Sequence, residues 1–441
     1  MRKDKIISKF SNSLLFGWWG LWLILLLASP ISGTTSSWGD SLIVSLSKKP
    51  EYLKRLQPYS LDYLLEWENK IYLVVNPQEL QLLQNLDIPF SLENFEPANN
   101  PDSPGSIQTS LNGAYHSYAE LEADLFNLEE THPECCLLVN LGQSVEGRNI
   151  YALKISDNPA LEENEPGVVF LGCHHAREWI SVEVPFLLAK YLVEHYQRDP
   201  SIQKLVDRSE IWIIPLVNPD GLEYSIYFYR YWRKNRRNLG HGLFGVDLNR
   251  NYDYQWGRDD IGSSPDPSSN VYRGPSPFSE PESQAIKKFM ELHPHLKALV
   301  SYHSYSQVIL YPWGYTNKPS HLDDLLRFLA STMSQKMKAV FGTKYSYGQS
   351  GASFYLTNGD TTDWALGKFG IPAFTIELPP IDRFRGGFFN AEADIQKIFQ
   401  ENLPAALFLI DWAIQGQTAF TSPSCSWWLK NRNIGESPIT H

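Results

Sequence analysis

Short, unbroken apolar runs alternate with amphipathic stretches along most of this chain. Residues 168–171, Val-Val-Phe-Leu, contain no polar member and read as a buried strand. The run hands over at Gly172 and Cys173 to a segment in which Val182, Val184, Leu187, Leu188 and Tyr191 lie along one helical side. The same reading predicts a helix over 117–130, strands over 136–142 and 150–155, and another buried strand over 211–217. It continues with helices over 281–293, 322–341 and 391–414, and strands over 296–302, 308–311 and 373–378. Strands interleaved with helices predict an α/β domain. Upstream the pattern is smaller in scale, with a strand over 70–75 and a short helix over 77–86. The stretch 94–111 between the two regions carries Pro97, Asn99, Asn100, Pro101, Pro104 and Gly105, which is linker composition. The expected plan is a small unit over 40–93, a linker, a main domain over 112–415 and an unassigned tail over 416–441.

The first 33 residues follow another pattern. Arg2, Lys3, Lys5 and Lys9 precede an apolar run over 14–28, and Ser29, Ser32 and Gly33 follow it. That is the layout of a secretory signal. The run is shorter than the ~20 residues a spanning helix needs, and an uncleaved membrane anchor is the alternative. The expected location is outside the cytoplasm, secreted or periplasmic. Composition narrows the rest. With 441 residues, 43% of them hydrophobic, the chain has ample material for a large core. A net charge of −11 argues against a nucleic-acid partner. Four cysteines in such a length are no disulfide framework. Cys135 and Cys136 are adjacent, Cys173 ends a strand and reads as a buried thiol, and Cys425 lies in the tail.

Candidate chemistry begins where the 168–171 strand ends. Open α/β sheets bind ligands at such handovers. His174, His175, Arg177 and Glu178 follow in quick succession. His175 and Glu178, three apart, can converge on one point, and His174 and Glu178, four apart, can also chelate. An imidazole and a carboxylate so placed suit Zn²⁺ once a third ligand arrives from elsewhere. The extended motif His-Ala-Arg-Glu-Trp-Ile (175–180) resembles the metallocarboxypeptidases of the carboxypeptidase A/B type, the M14 family. Three later motifs extend the resemblance: Asn218-Pro219-Asp220-Gly221, the stretch from Gly245 through Asp247, Asn249 and Arg250 to Tyr252, and His303-Ser304-Tyr305-Ser306-Gln307. The pattern is nearest the bacterial carboxypeptidase T branch, whose Gly-Asp-x-Thr-Asp-Trp recurs over 359–364.

The resemblance implies a mixed, mostly parallel twisted sheet sandwiched between helices, preceded by a small α+β prodomain. It implies one Zn²⁺ held by His175, Glu178 and His303, the family's His-x-x-Glu selecting His175 over His174. Asp247 would orient a zinc histidine. Glu377, a lone acid inside the apolar run 373–378, matches the catalytic glutamate. Arg233 matches the arginine on the scissile carbonyl oxygen. Asn249 and Arg250 match the pair gripping the substrate's free carboxylate, a task that suits a planar guanidinium. Tyr355 matches the capping tyrosine, and Arg177 and Tyr305 join the substrate contacts. Arg230, Arg236 and Arg237 read as surface charge. Asp360 and Thr362 fall where relatives set side-chain preference. Thr362 is neutral and Asp360 acidic, so both apolar and basic C-terminal residues are expected as leaving groups. The alternative for Asp360 is a helix cap that leaves an apolar preference. Glu162, Glu163 and Glu165, joined by Glu210, resemble the calcium-binding stretch of bacterial relatives, although Gly167 replaces an expected acid; Ca²⁺ is a candidate second ion. The expected activity is hydrolysis of the C-terminal peptide bond of peptides and proteins. A related zinc hydrolase of cell-wall peptides or side-chain-linked glutamate is the alternative. A small unit, a linker and a hydrolase read as a monomeric zymogen released by an activating protease.

Overall fold

The computed structural model describes residues 42–56, 59, 61–67, 69–93, 112–381 and 387–416. The signal-like segment, the linker and the tail lie outside these residues. The small unit is a four-stranded sheet built from β1 (Leu42–Ser47), β2 (Asp62–Trp67), β3 (Lys70–Val75) and β4 (Phe90–Glu93), in the order β2-β3-β1-β4. Helices α1 (Pro50–Leu56) and α2 (Pro77–Asn85) accompany it. Val44, Leu46, Leu56, Ile71, Leu73, Val75 and Leu83 form its own buried core. Asn76 caps α2, with Glu79 reaching back to the Asn76 N–H and Pro at the first turn.

The main domain contains an eight-stranded sheet. Its strands are β5 (Cys136–Gln143), β6 (Asn149–Ile155), β7 (Gly167–Leu171), β8 (Glu210–Ile214), β11 (Leu296–Ser304), β12 (Val308–Tyr311), β13 (Ser346–Gln349) and β14 (Ala373–Leu378). The short strands β9 (Asn238–Gly240) and β10 (Leu243–Phe244) make a separate ribbon. The sheet order is β13-β12-β14-β11-β7-β8-β6-β5. Four neighbouring pairs are parallel and three antiparallel, the mixed, mostly parallel sheet that the resemblance implied. The helices are α3 (Tyr118–Thr131), α4 (Ile180–His195), α5 (Pro200–Val206), α6 (Pro219–Tyr227), α7 (Pro281–Leu292), α8 (Asp323–Phe341), α9 (Ser350–Ser353), α10 (Thr361–Trp364) and α11 (Ile395–Gln415).

Side-chain alternation along the central strands divides the core into two layers. Val168, Phe170, Ile211, Ile213, Ala298 and Val300 join α3, α4, α8 and α11 on one side. Val169, Leu171, Trp212, Ile214 and Leu299 meet α7 on the other. A strand buried on both faces needs no polar position, which is why 168–171 is uniformly apolar. Some boundaries differ from expectation: the helix expected over 391–414 begins at Ile395, and the strand expected over 296–302 runs on to Ser304. The strand over 211–217 stops at Ile214, because Pro215 has no N–H to give a ladder. Cys135, Cys136 and Cys173 are buried free thiols. Among the described residues no helix is long and apolar enough to cross a membrane.

Candidate metal centre and active site

Parallel register brings the chemistry together. In the β11–β14 pairing His303 lies opposite Glu377, and β7 ends where Leu171 pairs with Ser301. The C-terminal ends of three adjacent strands therefore meet at one place. The turn leaving β7 is tightly built. A Cβ on Gly172 would come 2.2 Å from the Ser181 carbonyl oxygen and 2.5 Å from that of Pro215, so only glycine fits. Cys173 follows at φ 53°, in the left-handed region. Its N–H donates to Ser181 Oγ (3.2 Å), whose hydroxyl donates to the Glu178 carbonyl (2.5 Å). This clasp delivers His175 and Glu178 to the strand ends.

Three donor atoms converge there. His175 Nδ1 lies 2.9 Å from Glu178 Oε1 and 3.1 Å from His303 Nδ1, and His303 Nδ1 lies 3.0 Å from Glu178 Oε2. His175, Glu178 and His303 are the buried set able to hold a metal ion. Two imidazole nitrogens turned toward each other beside a carboxylate make a cation site, and ligands about 2.0–2.2 Å from one Zn²⁺ lie at comparable separations. Burial alone would raise the Glu178 carboxyl, but His175 and His303 hold it well below its ordinary range. His174 is not a member of this set.

The far nitrogen of His175 is held as well. Its Nε2 lies 3.2 Å from Asp247 Oδ1, and Asp247 Oδ2 accepts from Arg233 Nε (3.0 Å) and Nη2 (2.9 Å). Burial opposes ionisation of Asp247, yet Arg233, His175 and Arg250 keep its carboxyl well below the usual range. Asp247 thus links His175 to Arg233. Glu377 is buried, and that burial together with Glu178 raises its carboxyl well above the ordinary range against the pull of Arg233 and Arg250.

The Asn249 Oδ1 accepts from Thr361 N (3.0 Å) and Thr361 Oγ1 (2.8 Å). Arg250 Nη1 donates to the Asn249 carbonyl (2.8 Å), and its buried Nε has no partner among the described residues. Tyr355 is 46% exposed beside Phe354, with its hydroxyl in the field of Arg250, Arg233 and Glu377. Asp360 caps α10. Its Oδ1 accepts from Asp363 N and Thr362 Oγ1, both at 2.9 Å, and its Oδ2 from Thr357 Oγ1 at 2.6 Å. Asp360 is thus the cap of α10, and the Thr362 hydroxyl is engaged with it. Asp360 still makes no ion pair among the described residues, and it helps burial drive Asp363 well above the carboxylate range.

The small unit reaches this site. Arg177 donates through Nη1 to Asp62 Oδ2 (2.8 Å) and through Nη2 to Asp62 Oδ1 (2.5 Å), and Asn270 adds a 2.9 Å bond to Oδ2. The Arg177 guanidinium also lies over the Phe388 ring at 4.2 Å. Tyr72 and Val74 pack with Tyr305 and Phe388 in one apolar cluster. Ser269 donates to Glu79 and Ser268 to Gln78, at 3.1 and 3.3 Å. Nothing in the motifs signalled Asp62, because its partner is distant in sequence.

The basic run departs from its reading as surface charge. Arg230 is sandwiched between Trp179 (3.7 Å) and Phe389 (4.5 Å) and donates to the carbonyls of Arg177 and Phe388. Arg236 lies 3.6 Å over Tyr224, and Arg237 pairs with buried Glu280 at 2.7 Å. A charge run does not reveal which guanidinium turns inward against aromatic rings.

The acidic stretch gathers differently from expectation. Asp157, Glu163 and Glu165 form the cluster able to hold an ion, with Asp157 the member the sequence reading missed. Buried Oε2 atoms of Glu163 and Glu165 have no partner among the described residues. Burial, with Asp157, Glu163 and Glu210 nearby, pushes Glu165 up to about 7. Glu162 is exposed, 4.0 Å from Lys154. Glu210 is spent on Lys154 (2.9 Å) and His295 (2.7 Å), which overcome its burial and hold it at about 2.

Known proteins bear on this geometry. The zinc carboxypeptidase family model matches residues 121–405. A zinc carboxypeptidase of Saccharothrix mutabilis subsp. capreolus is 33% identical over 383 residues, covering 82% of this chain and 86% of that protein. Carboxypeptidase B of Astacus astacus is 35% identical over 287 residues, covering 64% of this chain and 91% of that protein. The crystal structure of thrombin activatable fibrinolysis inhibitor superposes with a TM-score of 0.69 at 26% identity, covering 85% of this chain and 99% of that one.

Proposed function

The chain belongs to the zinc carboxypeptidase family and is a zinc-dependent C-terminal exopeptidase, and from that premise we propose how its own residues divide the work. His175, Glu178 and His303 hold the zinc ion; the observation that carries this is the convergence of their three donor atoms beside Glu377 at the strand ends. When bound, zinc supplies Lewis acidity, which polarises a carbonyl and makes water a nucleophile at neutral pH. Asp247 accepts from His175 Nε2 and fixes its tautomer, leaving Nδ1 free to coordinate. Glu377 takes the proton of the attacking water and returns it to the leaving amine. Arg233, held rigid by Asp247, faces the negative charge that develops on the carbonyl oxygen. Asn249 and Arg250 grip the free carboxylate of the substrate, and Tyr355 closes over it. The matches to A- and B-type enzymes do not favour the alternative of cell-wall peptides or side-chain-linked glutamate.

Release of both apolar and basic C-terminal residues is the proposed specificity. Thr362 brings no charge to the pocket, and the Asp360 carboxylate accepts from the neutral donors Asp363 N, Thr362 and Thr357, with no cationic partner among the described residues. The small unit acts as a prodomain that withholds Arg177 through Asp62. No Lys or Arg occurs between Lys70 and Arg148, so the activating protease cuts with a specificity other than trypsin's. The enzyme works as a monomer, secreted or periplasmic, or anchored by an uncleaved signal. Ca²⁺ bound at Asp157, Glu163 and Glu165 is a secondary part of the proposal, supported by the unpartnered oxygens there. The direct test of the whole is mass spectrometry of peptides incubated with the protein cut before Asn112, with and without a zinc chelator. Single-residue ladders that vanish with chelation are expected. Internal cleavage, or ladders indifferent to chelation, would sink the reading.

A further inference from the structure

His174 lies outside the metal set, yet it is fully buried and both its ring nitrogens have polar neighbours. Nδ1 is 3.2 Å from Ser301 Oγ, and Nε2 is 2.9 Å from the Tyr252 hydroxyl and 3.1 Å from Thr361 Oγ1. Ser301 Oγ is in turn 3.0 Å from His303 Nε2, and Thr361 Oγ1 is 2.8 Å from Asn249 Oδ1. We propose that His174 is a positioning residue in a relay, His303–Ser301–His174–Thr361–Asn249, that couples a metal ligand to the group gripping the substrate carboxylate.

Donor and acceptor roles run one way along this relay. His303 turns Nδ1 to the metal position, so its Nε2 carries the proton and donates to Ser301 Oγ. The Ser301 hydroxyl then has a single hydrogen to give, and His174 Nδ1 receives it. Among the described residues no carboxylate lies within hydrogen-bonding reach of His174, whose ring nitrogens meet the hydroxyls of Ser301, Tyr252 and Thr361. With Nδ1 accepting, Nε2 carries the proton and donates toward the oxygens of Tyr252 and Thr361. The Thr361 hydroxyl passes its own hydrogen to Asn249 Oδ1. The far end has an independent check. The Thr361 backbone N–H can only donate, and it also points at Asn249 Oδ1 at 3.0 Å. The amide orientation of Asn249 is thereby fixed, with Nδ2 turned toward His303 Nε2 at 3.5 Å. Stacking of the His174 and His303 rings, 16° apart in plane at 5.6 Å, holds the middle of the relay in place.

The far end rests on the proposed grip of Asn249 on the substrate carboxylate, and the experiment separates the two. The full chain is cleaved within 94–111 for kinetics, and zinc affinity is measured by competition with a chromogenic chelator. Asn249→Ala is expected to raise KM for a peptide substrate at least tenfold. Thr361→Val is expected to raise KM about tenfold, with kcat within about twofold and zinc affinity at the parental value, and Thr361→Ser to restore KM. Ser301→Ala and His174→Leu are expected to weaken zinc binding about 10–100-fold, the usual effect of losing a partner behind a metal ligand, and to raise KM as well. A filler of the core would change only the melting temperature. If Asn249→Ala raises KM but Thr361→Val does not, the relay is overturned and the carboxylate reading stands. If Ser301→Ala and a folded His174→Leu keep parental zinc affinity, the relay is likewise overturned. A parental KM in Asn249→Ala overturns the carboxylate reading and with it the relay's far end.

Discussion

Asp62 and Arg177 form a two-bonded ion pair across 115 residues of sequence, with both side chains buried. One partner sits on β2 of the small unit and the other lies in sequence between His175 and Glu178. Two parallel N–H···O bonds in a buried setting give the pair directional strength. Removing one member leaves the other charge buried and uncompensated, which typically costs about 3–5 kcal/mol. In Asp62→Ala the full-length chain should therefore gain activity on a short peptide, by roughly tenfold or more. Steady-state assays on uncleaved protein would decide. Equal rates for the parent and the variant would remove Asp62 from any inhibitory role.

A second group at that interface makes docking sensitive to pH. Glu79 accepts from Ser269 and faces Asp62, Asp266 and Lys234. Burial and the two aspartates push its carboxyl from 4.5 up to about 7. The docked state thus holds a proton that a carboxyl in water releases near 4.5. That stabilisation is complete below about pH 4.5 and is lost as pH rises through 7. Asp62 runs the opposite way. Arg177 overcomes its burial and holds it below its ordinary 3.8, so its contribution is lost only as pH falls below that value. After cleavage in the linker, the affinity of the small unit should fall by up to about a hundredfold between pH 4.5 and 7.5. Titration calorimetry at several pH values would measure this. A flat profile, or one with the same slope in parent and Glu79→Gln, would contradict it.

Much of this architecture could be read from residue order, for identifiable reasons. The strand over 168–171 and the glutamate inside 373–378 stand out because an apolar run buried on both faces tolerates no chance polar residue. His175, Glu178, His303 and Glu377 were legible as a motif set, and the sheet assembles them through the His303–Glu377 register. Contacts made across the fold were not legible. Asp62 is one acid among the chain's many until the small unit packs on Arg177. Arg230 looks like part of a charged run until Trp179 and Phe389 close over it. Asp157 joins Glu163 and Glu165 only because the loop folds back, while Glu210 is drawn away by Lys154 and His295.

Substituting Glu377 by Gln keeps size and removes the base. Turnover should drop about 10²–10⁴-fold, the range general-base catalysis contributes. Zinc stoichiometry by elemental analysis should stay at the parental level, because Glu377 is not among the three converging donors. A variant that retained most of its activity would exclude Glu377 as the proton acceptor.

Chelation should act on stability as well as on turnover. Two imidazoles and a carboxylate held within bonding distance of one another gain a shared cation when zinc is present. A ligand that binds only the folded state stabilises it by about 4 kcal/mol when its free concentration is ~1,000 times Kd. The melting temperature should fall on chelation and recover with added Zn²⁺. His303→Ala should melt at the same temperature with or without chelator. A chelator effect that persists in this variant would point to a different ion.

The residue released by the enzyme depends on what Asp360 does with its charge. All the hydrogen bonds it accepts come from neutral donors: the Asp363 N–H, Thr362 and Thr357. These satisfy its oxygens but leave the negative charge without a counterion among the described residues. Asp363 nearby is driven toward its neutral form, in part by Asp360. The pocket therefore holds one uncompensated charge, and a C-terminal Lys or Arg can supply the cation. A hydrogen bond to a charged group contributes about 1.5–3 kcal/mol, or roughly tenfold or more in kcat/KM. Apolar residues need only the neutral wall that Thr362 provides, and acidic ones are repelled. Asp360→Asn tests this more cleanly than a glycine, because its amide oxygen still accepts the cap bond while the charge is gone. On peptides ending in Leu, Phe, Lys, Arg and Glu, the variant should lose Lys and Arg release by about tenfold and keep Leu and Phe within about twofold. If Leu and Arg substrates suffer equally, Asp360 serves only as the cap of α10.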